Sequence, residues 1–314
     1  MINAQMLTGL IAAFGLIANF GTVVGAQAQD GHMEHAENHR HANFTSDRLH
    51  VRVDGEEGGR DIILIPGLSS SPEVWQGTVD HLGAGWRVHR IHIQGFAGAP
   101  VGGNGTGPVA APVAEEIARY ITENHLDHPV VVGHSMGGTI GMMLAARHPD
   151  LVGKLLVVDM VPFMGAMFGP PGTTAESVVA TADAVAGGMA SASPADYQTR
   201  AAASVTGMIA TEAKRAGPLH DAATSDQQVS AHSMRELIAT DLRPELSKIT
   251  APTEVLYAKF NDARMTPEIT DAIYQASFAN LPSVKLKRID DSAHFIMLDQ
   301  PQAFYAALDA FVAP

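Results

Sequence analysis

Cysteine is absent from all 314 residues. A thiol nucleophile, a disulfide framework and a cysteine-ligated zinc are excluded on that ground, and so is a lipid anchor carried by a cysteine. Positive charge is scarce as well. Lys and Arg number 20 against 33 Asp and Glu, for a formal net charge of −13. That excess repels phosphate backbones and argues against a nucleic-acid partner. Charge of either sign is missing from Met1 to Ala28, where Leu7 to Val24 is mostly apolar. Gly9, Gly15, Asn19 and Gly21 make this stretch a poor permanent membrane span. Ala26-Gln27-Ala28 has the small-x-small form of a signal-peptidase site. Residues 1–28 are therefore expected to be a cleaved signal peptide that sends the chain to a bacterial periplasm or exterior. After cleavage no stable membrane insertion is expected; an uncleaved N-terminal anchor is the alternative.

The hydrophobic fraction of 46% is enough for a real core, and the length suits one α/β domain with an inserted segment. Residues 29–47 are polar and contain His32, His35, His39 and His41, with His50 just beyond. Neutral imidazole is a good metal ligand. No carboxylate or cysteine stands in an ordered frame around these side chains, so a flexible, solvated leader without metal is expected.

From Leu49 onward the pattern alternates between strand and helix. Strands are predicted at 49–53, 61–66, 87–93, 129–132, 154–159, 253–258 and 284–289. Helices are predicted at 74–82, 113–124, 135–146 and 302–312. Ile62, Ile63, Leu64 and Ile65 form one continuous apolar run, as strands buried on both faces require. Such alternation implies a mostly parallel sheet flanked by helices. Residues 162–247 break the rhythm: they contain no convincing strand and have helical patches at 175–189, 194–216 and 227–240. A span of that length is not a structureless loop. It reads as a helical lid inserted between two strands, dividing a core of 48–161 and 248–314.

The strongest chemical signal is Val130-Val131-Val132-Gly133-His134-Ser135-Met136-Gly137-Gly138. This is G-x-S-x-G directly after a buried strand and directly before a helix. A serine on so tight a strand-to-helix turn needs small neighbours, and its hydroxyl is lifted clear of the sheet. The same turn aims the Met136 backbone N–H at the place where an oxyanion would form, and the helix N-terminus adds positive partial charge there. Ser135 is the candidate nucleophile.

With this elbow the chain resembles the α/β-hydrolase superfamily, in particular its serine esterase, lipase and acyl-hydrolase members. The resemblance runs from about Leu49 to Val312. At Ile65-Pro66-Gly67-Leu68 the family usually shows His-Gly after the strand, and its position implies the Leu68 N–H as a second oxyanion donor. Val255 to Asp262 resembles the family's strand-then-loop that ends in the triad acid, which implies Asp262. Asp159, at the end of another strand, is the rival, because some members place the acid there. Asp291-Ser292-Ala293-His294-Phe295 resembles the histidine loop, which implies His294 as base, in the chain order Ser…Asp…His. Gln94-Gly95-Phe96-Ala97-Gly98 resembles a segment that is mostly structural.

The resemblance implies attack by Ser135 on an acyl carbonyl, with no metal or organic cofactor and a small-molecule acyl substrate. Activity is expected to fall as His294 becomes protonated. Serine at the elbow argues against dehalogenase and epoxide-hydrolase relatives, which need a carboxylate there. Carboxylic ester, thioester or lactone hydrolysis, C–C bond hydrolysis, prolyl aminopeptidase activity and perhydrolysis all remain open on one triad. Met160, Phe163, Met164, Met167 and Phe168 suggest either an apolar acyl pocket or plain packing of lid on body, and a small or medium ester is favoured. A non-catalytic ligand-binding protein is the other class. Such proteins usually lose a triad member, and here all three candidates stand.

Overall fold

The computed structural model describes residues 40–41, 44–170, 172–259, 265–281 and 283–313. The signal segment and His32, His35 and His39 lie outside the described residues.

Among the described residues eight strands form one sheet: β1 (Arg40–His41), β2 (Leu49–Gly55), β3 (Arg60–Ile65), β4 (Trp86–Ile93), β5 (Val130–His134), β6 (Lys154–Val158), β7 (Thr253–Ala258) and β8 (Lys285–Ile289). Their order is β1-β2-β4-β3-β5-β6-β7-β8. β2 runs antiparallel to both its neighbours, and every pairing from β4 to β8 is parallel.

Alternation along the inner strands sorts side chains into two cores, because successive residues point to opposite faces. Ile63, Ile65, Val131, Leu155, Val157 and Val255 enter one cluster. Ile62, Leu64, Val130, Val132, Leu156 and Val158 enter the other. Both faces are covered, which is why these strands read as unbroken apolar runs. β8 closes the edge with alternating exposed lysines, Lys285 and Lys287, a pattern that discourages pairing with another sheet.

The helices of the body are α1 (Gln76–Leu82), α2 (Ala110–Glu123) and α3 (Met136–Arg147). Between β6 and β7 the described residues form four more α-helices and no strand: α4 (Ala175–Ala190), α5 (Pro194–Met208), α6 (Ala216–Thr224) and α7 (Gln227–Ala239). After β7 come α8 (Pro267–Ser277), α9 (Ile296–Asp299) and α10 (Pro301–Val312). No described helix is long and apolar enough to cross a membrane.

Two sequence expectations shift and a third, open between two readings, is narrowed. Residues 44–47 belong to the folded body rather than to a flexible leader. Phe44 lies under the Arg119 guanidinium at 4.2 Å, and the Asp47 carbonyl accepts from Gly103 N–H at 2.7 Å. The helix expected over 194–216 ends at Met208, because the Asp299 carboxylate takes the N–H groups of Ala210 and Thr211 at 3.0 and 2.8 Å. Met160, Phe163, Met164 and Met167 are buried in the cluster that includes the body. They pack the insertion onto the sheet, so packing accounts for them.

α2 begins three residues earlier than its periodicity predicts, and its cap is borrowed. The buried carboxylate of Glu236, on α7, accepts from the N–H groups of Val109, Ala110 and Ala111 at 2.6, 2.6 and 2.8 Å. A carboxylate there satisfies orphan donors and complements the helix dipole. Glu236→Ala should destabilise the protein by about 2 kcal/mol and lower Tm by about 5 °C, since buried N–H groups lose their partner. Calorimetry checks this, and an unchanged Tm would show that water replaces the cap without loss.

Candidate active site

The carboxyl ends of the parallel strands lie along one edge of the sheet, and four of the connections leaving them meet there. β5 leads into Ser135, which sits at φ 54°, ψ −121°. A non-glycine residue in that region is strained and must be held by its surroundings. Its N–H donates to the Val158 carbonyl at 2.9 Å, and its carbonyl accepts from Gly138 N–H at 2.8 Å. The small neighbours are steric necessities: a Cβ on Gly133 would lie 2.1 Å from the Gly137 carbonyl oxygen, and one on Gly137 would lie 2.2 Å from that of Ile65. Met136 opens α3, so its N–H belongs to the first turn and has no acceptor within the helix.

β3 leads into Pro66-Gly67-Leu68, which packs on the elbow. The Cβ position of Gly67 lies 3.2 Å from Ser135 Cβ. The next residue, Ser69, has a positive φ of 55°.

β6 leads into Asp159 and β8 into His294, and the two side chains meet. His294 Nδ1 lies 2.7 Å from Asp159 Oδ2. Both residues are buried. The other carboxylate oxygen of Asp159 accepts from Ala258 N–H at 3.0 Å and from the Tyr274 hydroxyl at 2.9 Å. Three donors on two oxygens fix this carboxylate as an acceptor. Burial, with Asp159 beside it, raises the Tyr274 phenol well above its ordinary range, so it remains an O–H donor. Tyr257 stacks on Tyr274 with ring centroids 4.0 Å apart.

The histidine loop is held twice more. Buried His134 donates from Nε2 to the His294 carbonyl at 3.1 Å. Burial first, and then His294, hold His134 well below the usual imidazole range, which keeps it neutral. Asp299 accepts from Ala293 N–H at 3.0 Å with the same oxygen that takes Ala210 N–H.

The structure places Asp159, the rival of Asp262 in the sequence reading, against His294 Nδ1. Asp262 lies outside the described residues, whereas Asp159 is in place and saturated with donors. Both aspartates follow neighbouring parallel strands, so the sequence pattern alone did not separate them. His134 stood inside the elbow motif without an assigned role, and Asp299 lies four residues beyond the histidine-loop segment that ends at Phe295. Tyr274 carried no sequence signal, being one apolar-face residue of an ordinary amphipathic helix. Among the described residues, no group of three or more His, Asp or Glu side chains could hold a metal ion.

Comparison with known proteins gives the family. Residues 62–307 match the alpha/beta hydrolase family. The chain belongs to that family. Similar curated proteins include the pimeloyl-[acyl-carrier protein] methyl ester esterase of Aeromonas hydrophila, 25% identical over 84% of this chain and 100% of the relative. The protein of the same name from Aromatoleum aromaticum is 27% identical over 77% of this chain and 94% of its own. Among solved structures, the enol-lactonase of Burkholderia xenovorans superposes with a TM-score of 0.66 at 20% identity, covering 87% of this chain and 99% of that one. At that identity the likeness shows the fold. The chain is a hydrolase enzyme of the alpha/beta hydrolase family, with esterases among its relatives.

Proposed function

We propose that this hydrolase cleaves a small or medium carboxylic ester through an acyl-enzyme on Ser135, with His294 as base and Asp159 as the supporting acid. One observation carries the proposal: Asp159 occupies Nδ1 of His294, beside an elbow that holds Ser135 in a strained conformation. Nε2 is then the ring nitrogen that takes the serine proton in this reading.

Ser135 Oγ attacks the acyl carbon while its proton passes to His294 Nε2. The N–H groups of Leu68 and Met136 bind the oxyanion, each contributing about 3 kcal/mol to the transition state. As the carbonyl re-forms, the C–O bond to the alcohol breaks and His294 returns the proton to the leaving oxygen. Water, deprotonated by His294, attacks the acyl-enzyme. The second collapse frees the acid and restores Ser135 Oγ–H. The balance is ester and water to acid and alcohol. Asp159 stays ionised and stabilises the imidazolium.

The preference for esters over C–C, peptide or peracid chemistry rests on the esterase relatives. p-Nitrophenyl esters of increasing acyl length test it, run beside a vinylogous diketone and a prolyl anilide. Turnover concentrated on esters of short to medium chain is expected. Turnover of the diketone or the anilide with inert esters would overturn the substrate class while leaving the triad in place.

A further inference from the structure

The inserted helices hold the loop that follows β3. Ser69, Ser70 and Ser71 directly follow Leu68, and every helix of the insertion after α4 reaches this loop. Asp221 of α6 accepts from both the Ser71 N–H, at 2.8 Å, and the Ser71 hydroxyl, at 2.7 Å. Ser69 Oγ lies 2.9 Å from Ser230 Oγ of α7. Ser230 donates in turn to the Asp226 carbonyl at 2.8 Å, which makes Ser69 the donor in the serine pair. The buried phenol of Tyr197, on α5, is raised by burial and lowered by the neighbouring Ser230 and Ser69 hydroxyls, which places it beside this serine pair. Ser69, Ser71, Tyr197, Asp221 and Ser230 are all buried.

The grip falls on strained backbone. Ser69 has a positive φ of 55°, a conformation that a non-glycine residue keeps only where its surroundings over-determine it. Serine here gives up backbone ease but offers a hydroxyl by which the turn is held. The residue before it is Leu68, whose N–H must point at the oxyanion. An oxyanion donor works only when it is fixed before charge develops.

We propose that Asp221, Ser230 and Tyr197 are positioning residues that set the oxyanion hole, so that the insertion is a working part of the catalytic machinery. This rests on the ester-hydrolase reading above. None of the three touches substrate; they act through the backbone of the loop that carries Leu68.

The test uses a matched pair of substrates, an oxo ester and its thiono analogue with C=S for C=O, on the full-length protein. A hole shaped for oxygen prefers the oxo ester. Asp221→Asn keeps the shape of the side chain and removes its charge. It should lower kcat on the oxo ester roughly 30-fold with KM changed less than threefold, and lower the thiono rate far less. The oxo-to-thiono ratio of kcat/KM should therefore narrow roughly 10-fold. Tyr197→Phe, which removes one hydroxyl and keeps the ring, should narrow it in the same direction by roughly threefold. It keeps the proposal testable if Asp221→Asn folds poorly. Arg235→Ala, at the exposed pair with Asp183 on the same helix as Ser230, should leave the ratio unchanged. A purely structural role for Asp221 would lower both rates in parallel, and a constant ratio in both variants overturns the proposal. A wild-type protein that neither turns over these esters nor reacts with a fluorophosphonate overturns the ester reading and this inference with it.

Discussion

Ser135→Ala should lower kcat/KM for a p-nitrophenyl ester by roughly 10⁶, the loss expected when a triad that works as a unit loses its nucleophile. What remains should still exceed the reaction in water, because the loop of Leu68 and the N-terminus of α3 can bind the oxyanion without a serine. The variant should fold normally. Alanine keeps the Cβ, and the bonds that fix the elbow run through the backbone of Ser135, to Val158 and from Gly138. Steady-state kinetics together with calorimetry separate the two effects. A loss of only tenfold with an unchanged Tm would mean that another group attacks the carbonyl.

Asp159→Asn should lower kcat/KM roughly 10⁴-fold, because an amide in place of the carboxylate favours the wrong imidazole tautomer and no longer stabilises the imidazolium. Asp262→Asn should cost less than about threefold, within the range of a change outside the reacting unit. The contrast is sharp because the two residues are rivals for one role. Asp159 meets His294 Nδ1 at 2.7 Å and is supported from behind by Tyr274 and Ala258. Tyr274→Phe should fall between the two variants, at roughly tenfold, as expected for one lost hydrogen bond to a charged group. The reverse order, with Asp262→Asn severe and Asp159→Asn mild, would transfer the role to Asp262.

Much of this was legible in the sequence because it is written in local pattern. The inner strands are buried on both faces, so each announces itself as an apolar run, as Ile62 to Ile65 does. The elbow is legible because its sterics permit only glycine at Gly133 and Gly137. His294 is legible from its place between the last strand and the last helices. What stayed hidden depends on which elements become neighbours. Asp159 and Asp262 are equivalent as text, since each follows a parallel strand, and only the fold brings Asp159 to the imidazole. The cap of α2 was invisible for the same reason. Glu236 lies more than a hundred residues from Val109, and Ala110-Ala111-Pro112 carries no cap of its own. The apolar methionines and phenylalanines after β6 left two readings open, pocket or packing, and burial puts most of them in the core. The hold of α5, α6 and α7 on the loop after Leu68 is likewise tertiary, spread over Tyr197, Asp221 and Ser230.

The most direct measurement is fluorophosphonate labelling of the wild-type protein beside Ser135→Ala and Asp159→Asn, with the modified peptide identified by mass spectrometry. One equivalent of label on the peptide containing Ser135 is expected in wild type, with none in Ser135→Ala and a greatly slowed reaction in Asp159→Asn. Label on a different residue, or no label on wild-type protein that is folded by calorimetry, would contradict the assignment of Ser135 as an activated nucleophile.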